Sequence, residues 1–578
     1  MSSAGVPRRA HHLLKTDLFL RNTFYTDLND RALVSYEKAK AIGLSFDMKI
    51  DDILHLTPKF WQLHNDPISL QDGAALTLLT IQYNLAAGTI ARYAQHRPDL
   101  VPLVEDLLQF RKHGQYMLTE VGHGLDIGNI ETTATLLPSG DFSLTSPTPS
   151  AAKFMPPTVP AGLPCIAVVF AKLIVDGEDR GHRPFLVALN DGKEMCTGVQ
   201  ARCVPFRDGT HPVYHSITTF TDVRLPRAAL LGTLEKPGSM HENLMDIISR
   251  VSVGSIAVGC FALPILQCVA TIGTLYSLRR HVGPSADPAR RVPILSFRTQ
   301  QAPLLAAVTN AYVVQAFQRW AIEHFCAASD PRLRRAIAVV FKVFAVLHAQ
   351  ESGLAVSDRC GAQGLFSHNA MVMMHSAMRG IAIAEGDILG LSIRLTTDIL
   401  LGHVVFPPPS DPTHPLARHE ASVLAALRAT LAAHGPTAAA ARLLPHCQPA
   451  VEAIGHRLAH DAAAGAPGGR APLVDLFVAQ CVARDAAWYA EHAGLPRDAQ
   501  RARADAAHDA ALPLLGELVA EMDVGEYVGA PIVSDARWAA FVEGMVVHEG
   551  EARVELFGEE RGMVAVEEEQ VKPLRAHL

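Results

Sequence analysis

Cysteine is scarce in this sequence: there are nine cysteines in 578 residues, with no C-x-x-C pair and no closely spaced Cys/His pattern. A disulfide framework and a zinc site of the usual ligand spacing are therefore not expected. The same scarcity indicates a protein of a reducing compartment, and we expect the cysteines to be core residues.

An excess of positive charge is also missing. The chain has 51 Lys and Arg against 58 Asp and Glu, a net charge of -7, and its basic residues are dispersed. Nucleic-acid-binding surfaces need a basic field that neutralises phosphates. We therefore expect no nucleic acid partner.

The sequence lacks the long uninterrupted apolar runs of leaders and membrane spans. Its first twenty residues are basic, but they contain Asp17 and no sustained apolar stretch, so they do not predict a signal peptide. The most apolar segment, Val251 to Leu275, contains Pro264 and Gln267. We expect a buried helix there and no membrane span.

What the chain has is enough apolar sequence to build several packed domains, with 49% hydrophobic and 19% charged residues. Helical periodicity covers residues 1–117, short β-rich runs cover 118–235, and long helices return over 236–405. The proline-rich stretch 406–412 predicts a stiff linker, followed by further helices over 413–578. The pattern predicts a mainly α protein of four domains, the second of them a small antiparallel β-domain.

The transition between the first two domains carries the most distinctive loop. Thr119-Glu120 closes a helical pattern, and the glycines of Val121-Gly122-His123-Gly124 would permit close approach of a ligand or another backbone. Strands at Ile130 to Leu137 and Phe142 to Thr145 would then form a hairpin. On spacing alone, an ordinary loop and hairpin with a structural His123 is the favoured interpretation.

Glu385 is the candidate general base. It follows the apolar run Ile381 to Ala384 and precedes a predicted helix over Ile388 to Leu401, for which Asp387 would be the N-cap. A carboxylate in such a setting would be partly desolvated, which raises its pKa and strengthens it as a base when ionised. The alternative is a solvated loop glutamate.

Several motifs occur in the same order as in one known family. The chain resembles the acyl-CoA oxidases of the acyl-CoA dehydrogenase superfamily, whose middle domain opens with T-E-x-G-H-G and continues through x-E-T-T-A-T to a lysine followed by aromatic residues. The resemblance extends from about residue 60 to about residue 402. Its elements here are Thr119–Gly124, Ile130–Thr135, Lys153–Met155, Thr221–Pro226, Tyr276–Arg280, Arg298–Gln301, Cys360–Gly364 and Glu385–Asp387.

The resemblance implies the acyl-CoA dehydrogenase/oxidase fold: an N-terminal helical domain, a middle antiparallel β-barrel-like domain, a C-terminal four-helix bundle and an extra C-terminal helical domain. It implies FAD-dependent α,β-desaturation of an acyl-CoA or related acyl thioester, as in fatty-acid β-oxidation, with Glu385 removing the α-proton. The flavin would be reoxidised by O2 with release of hydrogen peroxide. A homodimer and a peroxisomal location follow, and Ala576-His577-Leu578 fits the S-K-L type of targeting tripeptide.

The resemblance also implies which residues contact FAD. Thr119 would contact the flavin ring, and Arg298, Gln300 and Gln301 would reach the diphosphate or adenine of a neighbouring subunit beside the loop 361–364. A guanidinium suits a diphosphate and glycines permit its close approach. The full set of expected cofactor-binding residues is Thr119, Gly124, Met155, Pro157, Arg298, Gln301, Gln363, Gly364 and Asp387.

Some positions depart from the family pattern and keep alternatives open. Where the oxidases have K-W-W-P-G, this chain has Lys153-Phe154-Met155-Pro156-Pro157, and Pro157 has no N–H to donate to a flavin. Ala384 replaces the phenylalanine usual before the base. The alternatives are a dehydrogenase or desaturase of the same fold acting on a carrier-bound or non-CoA substrate, and a flavin-free, non-catalytic relative.

Overall fold

The computed structural model describes residues 8–21, 23–283 and 290–554 of the chain. Helices come first, nine strands follow between residues 113 and 225, and helices with one short β-ladder make up the remainder of these ranges. The C-terminal tripeptide lies outside the described residues.

Most of the first helices are short, and two of them begin at an aspartate whose side chain caps the helix, Asp27 and Asp72. Asp72, for example, accepts hydrogen bonds at 3.0 Å from the backbone N–H groups of Ala74 and Ala75 and so begins α5. A π-helical segment, Ile81–Ala87, joins α5 to α6 without a break. The helices are α1 (Asp17–Leu20), α2 (Leu28–Phe46), α3 (Ile50–His55), α4 (Pro58–Leu63), α5 (Gly73–Thr80), α6 (Gly88–Ala94) and α7 (Val101–Leu108).

The strands form two sheets. They are β1 (His113–Met117), β2 (Thr133–Leu136), β3 (Phe142–Thr145), β4 (Lys153–Pro157), β5 (Cys165–Val175), β6 (Glu178–Asn190), β7 (Val199–Cys203), β8 (His215–Phe220) and β9 (Val223–Leu225). In the larger sheet β5 pairs with β6 and, in succession, with β1 and β2, while β2 continues to β3 and β9. Strand β8 lies between β4 and β7 in the smaller sheet.

The predicted hairpin is confirmed, because β2 and β3 pair antiparallel with Thr133 opposite Thr145. The prediction of a purely antiparallel domain is wrong for β1 and β2, which both run parallel to β5. The helical region predicted over residues 1–117 ends earlier than expected, because β1 begins at His113. All five residues of β1 are buried, including the polar His113 and Gln115, so residue type does not mark an exposed face of the strand.

A bundle of long helices follows the sheets, as the periodicity of residues 236–405 predicts, and its two longest helices have 30 and 29 residues. The elements here are α8 (Met240–Ile247), α9 (Arg250–Cys260), α10 (Ala262–Arg279), β10 (His281–Val282), β11 (Val292–Pro293), α11 (Arg298–Ala327), α12 (Pro331–Arg359), α13 (Met371–Ile383) and α14 (Ile388–Leu400). By length and composition, three helical stretches within the described residues could cross a membrane: 73–94, 250–279 and 331–359. Their most apolar windows are 89%, 100% and 78% buried inside the protein.

The last described helices pack on this bundle and share its core, to which Val451, Leu473, Phe477 and Leu515 contribute. They are α15 (Pro415–Ala464), α16 (Ala471–Arg484), α17 (Ala486–His492), α18 (Arg497–Ala511), α19 (Leu515–Met522) and α20 (Asp535–Glu543). Helix α15 is kinked at Gly435, whose φ is 69°. The strands enclose a separate core around Phe142, Phe185 and Phe220, and all nine cysteines are free.

Candidate functional site

Three of the sequence motifs meet at one buried carboxylate. Glu120, just after β1, is 1% exposed. Its oxygens accept hydrogen bonds from the backbone N–H of Glu131 at 2.6 Å and of Thr132 at 3.0 Å, and from the Thr132 hydroxyl at 2.6 Å. The Lys153 ammonium donates to the same carboxylate at 2.9 Å. Residues distant in sequence are thus joined into one rigid frame beneath the loop that follows Thr119.

Lys153 completes this frame. Its fully buried ammonium also donates to the carbonyl oxygens of Leu118 at 3.1 Å and Phe170 at 2.7 Å. Burial lowers the pKa of Lys153 to about 8, and the neighbouring Glu120 carboxylate opposes that shift. All three ammonium donors are therefore used, as a buried cation requires.

His123 holds the loop of residues 121–124, which we call the glycine loop, to the segment that leads into β2. Its Nε2 lies 2.9 Å from Glu131 Oε1 and its Nδ1 lies 3.3 Å from Asp126 Oδ2. The bond to Glu131 raises the pKa of His123. Hydrogen bonds from Thr148, His123 and Ser150 lower the pKa of Glu131 to about 2. His123 therefore has the structural role expected from the sequence.

The loop between α13 and α14 presents Glu385 in an unusual backbone conformation. Its φ is 57°, in the left-handed region that non-glycine residues rarely adopt. The Lys342 ammonium donates to the carbonyl oxygens of Ala384 and Gly386, and the Ser255 hydroxyl donates to that of Glu385 at 2.8 Å. Three consecutive carbonyl groups are thus held by side chains of α12 and α9.

The carboxylate of Glu385 lies against the backbone of Gly254 in α9. A Cβ on Gly254 would lie 2.4 Å from Glu385 Oε2 and 2.7 Å from the side-chain nitrogen of Asn84. Oε2 is buried and has no hydrogen-bond partner among the described residues. Burial raises the pKa of Glu385 to about 8, although the cations Lys342 and Arg250 act in the opposite direction. A desolvated carboxylate with a free oxygen can accept a proton from a substrate.

Two further polar groups face this region with unused donors. Arg250 is 5% exposed and donates to the carbonyl oxygens of Asn84 at 3.0 Å and Ile53 at 3.1 Å. Its Nη2 and the hydroxyl of Tyr116 are buried without partners in the described part of the chain. The pKa of Tyr116 is raised, first by burial and then by the Glu385 carboxylate.

Sequence reasoning missed Lys342, Arg250 and Asn84. A usable signal was present for the two cations, because a charged side chain among apolar residues needs hydrogen-bond partners inside the protein. Lys342, for example, interrupts the apolar run around Phe341 and Val343. Asn84 gave no comparable signal, since its position depends on the π-helical turn.

The expected flavin-contacting residues Thr119, Met155 and Pro157 lie on adjacent segments. The Thr119 carbonyl oxygen accepts a hydrogen bond from the Phe154 N–H at 3.0 Å. Met155 is 41% exposed, and its carbonyl oxygen lies 3.0 Å from His215 Nδ1. Pro157 is buried opposite His215, beyond an irregularity in the ladder between β4 and β8.

The glycine loop also approaches the helix that follows Glu385. Gly124 is exposed, and a Cβ there would meet no atom within 4 Å in the described ranges. The adjacent Leu125 side chain lies 3.5 Å from the position of a Cβ on Gly390. Asp387 is confirmed as an N-cap, because its Oδ1 accepts from the N–H groups of Leu389 and Gly390 at 3.0 Å each. These contacts place the loop after Thr119 and the loop of Glu385 on neighbouring surfaces.

A cleft of about 470 Å³ lies where α10, α11 and the turn after α12 meet. We call it the second cleft because its lining residues are separate from the region around Glu385. Gln300 crosses its wall, donating to Ser277 Oγ at 2.8 Å and to the Arg359 carbonyl oxygen at 3.0 Å. The lining residues are Tyr276, Arg280, Ile294, Gln300, Asp358, Arg359, Cys360, Gly361, Ala362 and Gln363. The cleft contains the predicted Gln363, and also Arg280, whose motif was noted in the sequence but whose role was not.

Arg298 and Gln301 do not line this cleft. Arg298 forms ion pairs with Asp505 at 2.7 Å and Asp509 at 2.6 Å on α18. Gln301 donates to the Leu295 carbonyl oxygen at 2.9 Å. These contacts hold both side chains against other parts of the same chain.

Gly364 is buried beneath the cleft. A Cβ there would lie 2.2 Å from the Ser357 carbonyl oxygen, so this position requires glycine. The Ser357 hydroxyl donates to the Gly364 carbonyl oxygen at 2.9 Å, and the Asn369 amide donates to that of Gln363 at 2.9 Å. The turn is therefore fixed in place before any ligand arrives.

Comparison with known proteins points to one family. The chain is 26% identical over 328 residues to human peroxisomal acyl-coenzyme A oxidase 3, covering 52% of this chain and 46% of that protein. It is 25% identical over 348 residues to peroxisomal acyl-coenzyme A oxidase 2 of Arabidopsis thaliana, covering 55% and 49%. The chain spans about half the length of the curated relatives it matches. No protein-family model matches it.

Solved structures extend the likeness over nearly the whole chain. Acyl-CoA oxidase 1 of Yarrowia lipolytica superposes with a TM-score of 0.75 and 18% identity, covering 92% of this chain and 88% of that one. Acyl-CoA oxidase 2 of Caenorhabditis elegans, solved with FAD, ascaroside-CoA and ATP, gives 0.68 and 15% over 94% and 95%. The chain therefore has the acyl-CoA oxidase fold and is a divergent relative of the acyl-CoA oxidases in sequence.

Proposed function

We propose that the protein oxidises an acyl-CoA or related acyl thioester between Cα and Cβ, with Glu385 as the general base. The observation that carries this proposal is the Glu385 carboxylate itself: it is held in a left-handed loop, and one buried oxygen has no partner within the described residues. The names of the relatives support the same reaction class.

In this reaction Glu385 takes the α-proton of the thioester while the β-hydrogen leaves with two electrons, so that a Cα=Cβ double bond forms. Burial raises the pKa of Glu385 to about 8, which brings the basicity of the carboxylate toward that of a strong neutral-pH base. A bound FAD would supply the redox chemistry, accepting two electrons and returning them to O2 as hydrogen peroxide. The N–H of Glu385 and nearby buried donors could stabilise negative charge on the thioester oxygen.

The proposed FAD contacts fall into two groups. The flavin ring would lie against the surface formed by Thr119, Gly124, Met155 and Pro157, with the loop of Glu385 and Asp387 opposite. Exposure of the Met155 side chain fits an apolar ring. Pro157 can pack there but cannot donate a hydrogen bond.

The diphosphate and adenine would occupy the second cleft, beside Gln363, Gly364 and Arg280. The cleft joins a guanidinium, amides and a glycine turn, which suits a nucleotide. Arg298 and Gln301 would take part only after leaving their contacts within the subunit. We propose a homodimer, in which the nucleotide bridges two subunits.

The test starts with the absorption spectrum of the purified protein and FAD analysis of the denatured supernatant. The oxidised-flavin spectrum should bleach with an acyl-CoA in the absence of oxygen, and peroxide should form in its presence. Glu385→Gln should keep the flavin and lose at least about 100-fold in bleaching rate, since general-base catalysis contributes about 10²–10⁴. Glu452→Gln is the matched control, because burial also raises the pKa of Glu452 on α15. Equal bleaching by Glu385→Gln and wild type would remove Glu385 from the mechanism.

Pro157 favours a second candidate, a flavin-free relative with a binding role. A colourless protein that FAD cannot reconstitute would support it. Bleaching without peroxide would indicate instead a dehydrogenase or desaturase of the same fold.

We propose a peroxisomal location, which the names of the relatives support. Deleting residues 576–578 from a tagged chain should move it to the cytosol. An unchanged distribution would exclude the tripeptide as the targeting signal.

A further inference from the structure

Lys342 is a buried cation that has no ion-pair partner among the residues the structure describes. It lies within α12 with no exposed surface, between the buried residues Phe341 and Val343. No carboxylate lies within 4.0 Å of its ammonium in the described part of the protein. Its recorded hydrogen bonds go to the carbonyl oxygens of Ala384 and Gly386, on either side of Glu385. A buried charge is costly, so its retention here calls for a role at this loop.

The backbone that Lys342 holds is one that does not form readily by itself. Glu385 and Gly386 are consecutive left-handed residues, with φ values of 57° and 96°. Glycine adopts this conformation freely, whereas a residue with a Cβ is disfavoured there. The Lys342 ammonium donates hydrogen bonds to the two outer carbonyl oxygens, and the Ser255 hydroxyl donates to the middle one, that of Glu385, at 2.8 Å.

We propose that Lys342 is a positioning residue for the general base. By holding the carbonyl groups before and after Glu385, it keeps the left-handed turn that lays the carboxylate against Gly254 and Asn84, and its positive charge acts on that carboxylate through space. It acts through the loop and does not contact the reacting atoms. This inference rests on the proposed function of Glu385.

The charge of Lys342 gives the inference a pH signature. The charged and titratable groups that act on this region are Lys342 from α12, Arg250 from α9, Tyr116 from β1 and Asp387 from the same loop. Removing the Lys342 charge leaves Arg250 as the favourable cation for the ionised Glu385. The pKa of Glu385 should then rise, and the pH midpoint of base-dependent bleaching should rise with it.

The experiment compares Lys342→Met, which has neither charge nor donor, with Lys342→Gln, which keeps an amide donor without the charge. Lys236→Met is the control, because Lys236 is 49% exposed and pairs with Glu178 at the surface. Two properties are measured in the FAD-loaded protein: amide hydrogen exchange of the segment 380–390, and anaerobic flavin bleaching by an acyl-CoA as a function of pH. Exchange does not depend on catalysis, so it judges the loop separately.

In Lys342→Met the amides of residues 380–390 should exchange at least tenfold faster. Its flavin should bleach at least tenfold more slowly at saturating substrate, with a smaller change in KM. The pH midpoint of bleaching should be higher than in the wild type. Lys342→Gln should recover part of the exchange protection but keep the raised midpoint. If Lys342→Met does not fold, Lys342→Gln carries the comparison of exchange, rate and pH midpoint, and Ser255→Ala tests separately whether the hold on the Glu385 carbonyl group protects the loop. Wild-type exchange and bleaching in a folded Lys342 variant would overturn the inference. If no acyl thioester bleaches the flavin of the wild type, the proposed function fails. Unchanged amide exchange in the Lys342 variants would separately overturn the positioning role.

Discussion

Gly254→Ala offers a direct measure of how closely the base is held. The new methyl carbon would lie 2.4 Å from both Cδ and Oε2 of Glu385. Non-bonded atoms settle at about 3.5 Å, so the carboxylate must move by about 1 Å. The loop backbone cannot easily take up this movement, because Lys342 and Ser255 hold its carbonyl groups.

The expected effect of Gly254→Ala is large on rate and small on stability. A misplacement of about 1 Å can cost about 100-fold in rate, or about 2.7 kcal/mol of activation free energy. Alanine favours a helix over glycine by roughly 0.5–1 kcal/mol, which offsets part of a crowding cost of about 1–3 kcal/mol. The melting temperature should therefore change by a few degrees while the flavin stays bound.

Anaerobic rapid-mixing measurements of flavin bleaching provide the assay, with FAD content and melting temperature measured on the same samples. Gly353→Ala is the matched control, because a Cβ at this buried position of α12 would meet nothing within 4 Å in the described ranges. It should bleach at the wild-type rate. A Gly254→Ala protein that also bleached at the wild-type rate would refute the idea that the active carboxylate rests on Gly254.

Three further predictions concern the ion pair under the glycine loop, a buried histidine pair and the base itself. Lys153→Met should cost about 3–5 kcal/mol in urea-induced unfolding because it leaves the buried Glu120 carboxylate uncompensated, and wild-type stability would show that the pair does not hold the loop. His348 and His456 face each other with their Nε2 atoms 3.3 Å apart, and burial lowers the pKa of both, that of His456 to about 3. In the unfolded chain the pKa of each histidine is near 6.5. The contribution of the buried neutral forms to the free energy of unfolding is therefore complete above that pH. It is lost as the pH falls toward 3, by up to about 1.4 kcal/mol per pH unit for each histidine. His456→Gln should flatten this acid slope in urea titrations, and an equally steep slope would contradict the assignment. Because the pKa of Glu385 is raised to about 8, the bleaching rate should rise about tenfold per pH unit below that value, whereas a flat profile would exclude a base of this pKa.

The sequence predicted the elements whose signal is local. The hairpin of β2 and β3, the long helices α11 and α12 and the N-cap Asp387 all follow from periodicity and capping chemistry, and all are confirmed. The start of β1 was missed because both faces of the strand are buried and its polar residues His113 and Gln115 do not mark an exposed face. Parallel pairing of β1 and β2 with β5 could not be predicted, since it joins segments far apart in the chain.

For the candidate site, the sequence singled out Glu385 as the proposed base but not the residues that surround it. The partners of Glu385 come from α9, α12 and the π-helical segment, and contacts of this kind leave no local pattern. Arg298 illustrates the opposite difficulty. Its residue type suits a diphosphate, yet its direction is set by Asp505 and Asp509, about two hundred positions later in the sequence.

The π-helical segment Ile81–Ala87 makes the architecture of the site sensitive to the count of residues as well as to their identity. A π-turn is wider than an α-helical turn by one residue, and such turns often occur at functional sites. Here it brings Asn84 to the point where Gly254 and the Glu385 carboxylate meet. Losing one residue from this segment would restore a regular helix and rotate one flank about the helix axis by about 100°, carrying Asn84 away from the carboxylate. Homologues with and without this extra residue would therefore differ in the residues that surround the carboxylate even where their counterparts of Glu385 superpose.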